Sequence, residues 1–255
     1  MSAIAESEEL PFIPVNVPRL GGNEKKYLAE CIETSWISAF GPFVRKFEEA
    51  MCKYTGRKFA TTCTNGSVAI DIAIAALDLK AGDEVIMPTF TIISCACEMY
   101  RRGVKIVTVD CDESFNMDVK QVEAAITDKT KAIMCVHIYH FPCDMDAILS
   151  LAKKHNLKVI EDSAELIGAT YKGKMCGSFG DISTMSFYPN KHITSGEGGM
   201  VLCNDEELAK RVQSFKNLCF KPPRRFVHEE IGWNGRMTNM QVRERGRMQR
   251  SQQQA

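Results

Sequence analysis

The sequence predicts an α/β domain built on a mostly parallel sheet. Two observations carry that prediction. Short apolar runs alternate with longer amphipathic stretches through most of the chain, the pattern of strands separated by helices. Each helix between two strands is a crossover long enough to make those strands parallel. The composition agrees, with 45% hydrophobic and 25% charged residues in 255, enough for a sizeable core.

Residues 1–20 read as an N-terminal tail and extended arm, and 21–241 as the main domain. Residues 23–33 predict a helix, with Tyr27, Leu28, Cys31 and Ile32 as its apolar stripe. After a turn over 36–42, residues 43–54 predict a second, with Val44, Phe47 and Met51 on one face. The alternation then begins. Strands are expected at 59–63, 84–87 (stopped by Pro88), 104–109, 131–138, 157–160, 182–187 and 200–203. Helices are expected at 67–79, 92–102, 119–126, 144–155 and 205–217, the fourth capped by Asp144 or Asp146. No internal repeat is present. Residues 242–255 diverge into a stretch rich in Arg and Gln, without apolar period, and read as a disordered tail.

Lys+Arg and Asp+Glu both total 32, so no net field points to nucleic acid or a membrane. No apolar run is long enough to span a bilayer, and the acidic start does not resemble a secretory signal. The 11 cysteines are odd in number and contain no CxxC, which argues against a disulfide framework or a zinc site. Most are expected to pack as small apolar residues in a reducing compartment, the cytoplasm by default. His137 and His140 invite a metal reading, but no further ligand completes a plausible spacing; no metal is expected.

Parallel sheets bind ligands beyond the carboxyl ends of their strands. Four candidates fall there. Asn65-Gly66-Ser67 joins a strand to a helix, where free N–H groups and the dipole favour an anion, though taken alone the stretch reads first as an ordinary helix cap with a turn glycine. Glu161-Asp162 closes a buried strand, and a carboxylate there could pair with a cationic ring nitrogen or serve as a structural ion pair; Glu165 could reach the same ligand. Ser186 ends a strand five residues before Lys191, which stands in a loop ahead of Gly196-Glu197-Gly198-Gly199. Together, an anion cradle, a strand-end Asp, a strand-end Ser and a loop Lys match the needs of pyridoxal 5'-phosphate.

These residues resemble the DegT/DnrJ family of pyridoxal-phosphate-dependent sugar-nucleotide aminotransferases. Matching stretches include Gly82-Asp83-Glu84-Val85-Ile86-Met87-Pro88, Val159-Ile160-Glu161-Asp162-Ser163-Ala164-Glu165 and Gly232-Trp233-Asn234-Gly235-Arg236-Met237. The resemblance implies an aspartate-aminotransferase-like large domain (fold type I), with the family's C-terminal small domain missing, since the match stops near Gln241. It implies that Lys191 is the Schiff-base lysine and proton shuttle and that Asp162 partners the ring nitrogen. Glu165 would lie near the cofactor's phenolic oxygen. Gly66, Ser67 and Ser186 match phosphate ligands, beside Asn65. Ile92 stands where many members place an aromatic over the ring. Asn234 would reach the neighbouring subunit's phosphate, making a homodimer with a shared site. Asn116-Met117-Asp118 and Val136-His137-Ile138-Tyr139 resemble the perosamine-forming branch, which moves an amino group from glutamate to C4 of a nucleotide-linked 4-keto-6-deoxy sugar. The alternative expectation is a catalytically incompetent member that binds cofactor or a full-length partner.

Overall fold

A computed structural model describes residues 12–14, 16–18, 20–221 and 223–242. Of the disordered tail expected at 242–255 only Val242 is described, and it is instead buried in the α2 core, its N–H bonded to the Thr238 carbonyl; residues 243–255, and residues 1–11, 15 and 19 of the expected arm, lie outside the described residues.

The strands are β1 (Phe59–Cys63), β2 (Glu84–Pro88), β3 (Lys105–Val109), β4 (Thr130–Val136), β5 (Lys158–Asp162), β6 (Thr170–Tyr171), β7 (Lys174–Met175), β8 (Ile182–Ser186) and β9 (Gly199–Cys203). The helices are α1 (Glu24–Glu33), α2 (Pro42–Thr55), α3 (Gly66–Ala76), α4 (Ser94–Arg101), α5 (Val119–Ala125), α6 (Met145–His155) and α7 (Glu206–Lys216). Seven strands form one sheet in the order β1-β9-β8-β5-β4-β2-β3. From β3 to β8 every pairing is parallel; β9 alone runs against both its neighbours, β1 and β8. The expected mostly parallel α/β architecture is therefore present. The β6–β7 hairpin was not anticipated, because two-residue strands are too short to show a period.

Alternation along the strands sorts side chains onto two faces. On one, Ile160 of β5 and Ile182 of β8 join a core with α3 and α4. On the other, Val159 packs with α6, while Met185 and Phe187 pack with α2. α3 has only small and branched apolar residues from Ile72 to Ala76 and is buried nearly all round, as its missing amphipathic stripe requires. In α2 the buried residues are Phe43, Val44, Phe47, Met51 and Thr55, so the expected apolar stripe faces the sheet; each large side chain contributes about 1.5–3 kcal/mol on burial.

Boundaries differ from expectation by a few residues. β8 ends at Ser186 because the Phe187 N–H turns to the Gly198 carbonyl at 2.8 Å and starts the loop instead. Of the two candidate caps for α6, Asp144 does it, accepting the Ala147 N–H at 3.2 Å. No helix among the described residues is long and apolar enough to cross a membrane.

Candidate active site

Because β9 is antiparallel, its first residue pairs with the last residues of both β1 and β8. Gly199 there lies against the Asn65 backbone, where a Cβ would collide with the Asn65 carbonyl. This close approach brings the start of α3 beside the end of β8. A Cβ on Gly66 would sit 2.9 Å from the Ser186 Cβ, so that position too has room only for hydrogen.

Asn65 is the cap of α3: its Oδ1 accepts the Val68 N–H at 2.9 Å. Capping by Asn65 frees Ser67, whose hydroxyl meets Ser94 Oγ at 2.7 Å. The first-turn N–H groups of Gly66 and Ser67 have no intrahelical partner and point with the dipole toward an anion.

Lys191 sits near the tip of a loop cinched at its neck. Ser195 N–H and Thr194 Oγ1 both donate to the Phe187 carbonyl at 3.0 Å, and Phe187 is fully buried against Phe47. The side chain of Lys191 is only 17% exposed, and its Nζ lies 3.3 Å from Glu165 Oε1. Glu165 Oε2 in turn accepts the Tyr139 N–H at 3.1 Å.

β5 supplies two carboxylates on opposite faces. Asp162 is on the α3–α4 side, buried, with Oδ1 accepting from Thr184 Oγ1 and the Ala164 N–H, both at 3.1 Å. Burial raises its pKa, and those donors only partly oppose the rise. Glu161 faces the other way. It takes N–H bonds from Gly177, Phe179 and Gly180 at 2.5, 2.8 and 3.0 Å, with Arg57 at 3.8 Å. Burial pushes its pKa up, but His137 and those N–H groups outweigh it and hold the carboxyl down at about 2.

His137, fully buried, lies with Nε2 3.2 Å from Glu161 Oε1. Burial disfavours a charged ring, while Cys143 and Glu161 favour one. Together they raise its pKa to about 9, and the Cys143 N–H, 3.1 Å from Nδ1, leaves the proton facing Glu161 on Nε2.

A cavity of about 660 Å³ is lined by Asn65, Gly66, Ser67, Ile92, Asp162, Glu165, Ser186 and Lys191. Eight of the nine predicted site residues thus meet in one space. The ninth, Asn234, is exposed, outside the lining, and bridged to Asn217. Thr184, Ser94 and Cys95 were missed. Thr184 had a readable signal, since it shares the face of Ser186 two residues on; Cys95 had none. The arrangement fits a planar group with an anionic tail, a basic ring nitrogen and a carbon open to an amine. The start of α3 offers N–H donors for such a tail, Asp162 an acceptor for the nitrogen and Lys191 an amine.

The chain matches the DegT/DnrJ/EryC1/StrS aminotransferase family over residues 18–243. It is 48% identical over 235 residues to the GDP-perosamine synthase of Caulobacter vibrioides, covering 92% of this chain and 63% of that protein. Among solved structures, an aminotransferase from Psychrobacter cryohalolentis superposes with a TM-score of 0.84 at 38% identity, over 91% of this chain and 62% of that one. A GDP-4-keto-6-deoxymannose-3-dehydratase with a trapped PLP-glutamate geminal diamine superposes at 0.85 with 26% identity, over 90% of this chain and 65% of that one. The chain therefore spans a little under two thirds of the length of the relatives it matches. With a match whose span takes in every strand and helix described, the chain belongs to the DegT/DnrJ/EryC1/StrS aminotransferase family.

Proposed function

We propose that residues 21–241 form the large, cofactor-binding domain of an enzyme that moves an amino group from glutamate to a nucleotide-linked 4-keto-6-deoxy sugar. Pyridoxal 5'-phosphate supplies an aldehyde that takes up the amino group and a ring that withdraws electrons from the carbon beside it. The chain's own residues do the rest. Gly66 and Ser67 offer N–H groups, and Ser67 and Ser186 hydroxyls, to the phosphate. Asp162 holds a proton on the ring nitrogen, and Ile92 covers one face of the ring. Glu165 keeps the Lys191 ammonium at the cavity. Lys191 Nζ is the amine that would hold the cofactor aldehyde and, when free, would move a proton between the carbons on either side of the transferred nitrogen.

Support for the substrate comes from the 48% identity to a GDP-perosamine synthase. Support for a homodimer comes from Asn234, exposed and outside its own cavity's lining, and from Phe226, Val227 and Ile231, just before it in the chain and 79%, 53% and 91% exposed. Asn234 then reaches the partner's phosphate site. A cytoplasmic setting is supported by the 11 cysteines, all free.

The observation that carries the reading is Lys191, mostly buried and paired with Glu165 in the cavity that also holds Asp162. Borohydride reduction of the cofactor-loaded protein followed by mass spectrometry tests it. Cofactor mass on the Lys191 peptide, with visible absorbance lost in Lys191→Ala, is the expected result. Cofactor mass on another lysine, or on none, would leave a scaffold without this chemistry.

A further inference from the structure

Asp162 uses its two oxygens unequally. Oδ1 already accepts two bonds, from Ala164 and Thr184. Oδ2 has one donor among the described residues, the Cys95 thiol, with Sγ at 3.4 Å. Cys95 lies in the first turn of α4 and is fully buried, with its sulfur 3.3 Å from Thr91 Oγ1. Burial and the charge of Asp162 push the thiol pKa well above the usual range, so the sulfur keeps its proton and donates. An S–H is a weak donor, and a weak donor draws little charge from the oxygen it touches.

We propose that Cys95 is a positioning residue for Asp162: its thiol fixes the carboxylate's rotation through Oδ2 while leaving that oxygen basic enough to hold the proton of a ring nitrogen. The inference rests on the function proposed above for the ring alone; the thiol–carboxylate contact stands without it. A hydroxyl at position 95 is a stronger donor, spreads the carboxylate charge further and lowers its basicity. With no donor, Oδ2 is bare and its basicity rises. The other titratable groups lining the cavity with Asp162 are His137, just past β4, and Glu165, Tyr188, Lys191 and Glu197, and neither substitution replaces any of them.

The test is a pH titration of the Asp162 carboxyl carbon by ¹³C NMR in the cofactor-free chain. Cys95→Ala is expected to raise the midpoint and Cys95→Ser to lower it, each by about half a pH unit, a threefold change in proton affinity. In protein loaded with ¹⁵N-labelled pyridoxal phosphate, the ring-nitrogen resonance should move in opposite directions for the two variants. Midpoints that shift the same way, or stay put, overturn the proposal, because a simple packing role perturbs both variants alike. If the unmodified chain retains no cofactor, the proposed function fails, yet the cofactor-free titration still decides the role of Cys95.

Discussion

Glu161 and Asp162 are neighbours on one strand with opposite surroundings. The register pairs Glu161 with Ser183 and Asp162 with Thr184, so the hydroxyl of each cross-strand neighbour reaches its own carboxylate, at 2.9 and 3.1 Å. Beyond that the two faces part. Glu161 collects backbone N–H groups from the 177–180 loop and the Arg57 guanidinium, which itself bonds Gly177 O, Gly180 O and Ser183 Oγ. Its charge is fully answered, so it welds a loop to the sheet. Asp162 is equally buried but receives fewer and weaker donors, and it faces a cavity. A buried carboxylate with unspent acceptor capacity destabilises the empty protein, and a proton-bearing ligand repays it.

The largest effect should come from breaking the answered side. Glu161→Ala strands the N–H groups of Gly177, Phe179 and Gly180 and leaves the buried Arg57 charge without its carboxylate. We expect a loss of about 5 kcal/mol, the upper end for removing one partner of a buried pair, read from urea unfolding. A loss under 1 kcal/mol would mean that water or Ser183 replaces the carboxylate, and the contrast would dissolve.

Asp162→Asn should do the reverse. The amide oxygen can still accept from Thr184 and Ala164, and no charge is buried, so the cofactor-free protein should be as stable or slightly more so. Amino transfer from glutamate by the loaded protein should fall on the order of 10³-fold, or about 4 kcal/mol in barrier. A variant that unfolds early but keeps its rate would place Asp162 on the structural side.

Acid titration sharpens the same contrast by sign. The Glu161 pKa falls from 4.5 unfolded to about 2 folded. Its stabilisation is therefore present above pH 4.5 and is lost as pH falls toward 2, roughly 3 kcal/mol in all. For Asp162 the folded value lies above 3.8, so the unfolded chain ionises first and stability declines as pH rises through that window. Wild type minus Asp162→Asn should thus show a slope opposite in sign to wild type minus Glu161→Gln. Slopes of the same sign would refute the division of roles.

How much of this was legible follows from which physics each part needs. The strand–helix order and the buried face of α2 were readable because period and burial are local consequences of sequence. Glu161-Asp162 could be placed at the ligand edge, but which carboxylate faces the cavity depends on strand parity and on what the 177–180 loop brings from afar. Its place at the very end of the strand pointed to Asp162, and the family resemblance agreed; spacing alone could not say which face it takes. Thr184 was within reach of a parity argument from Ser186. Cys95 was not, because its role depends on the start of α4 meeting the end of β5, a tertiary contact between residues 67 apart.

The smallest test repeats the comparison at the start of α3. Asn65 and Ser67 look interchangeable as caps in the sequence, yet only Asn65 caps, through Val68. Asn65→Ala should cost about 1 kcal/mol of stability, the usual loss for a capping Asn. Ser67 is exposed at the cavity and among the described residues its hydroxyl bonds Ser94 Oγ, so Ser67→Ala should leave stability within about 0.5 kcal/mol. Its hydroxyl is free to serve an anion, and losing one hydrogen bond to a charged phosphate weakens binding by about 1.5–3 kcal/mol, tenfold or more in Kd. Thermal unfolding of the cofactor-free variants, set beside a fluorescence titration with pyridoxal phosphate, separates the two. If Ser67→Ala binds the cofactor as tightly as wild type, the phosphate does not rest on the start of α3, and the cavity's anion end must be sought at Ser186 and the Lys191 loop instead.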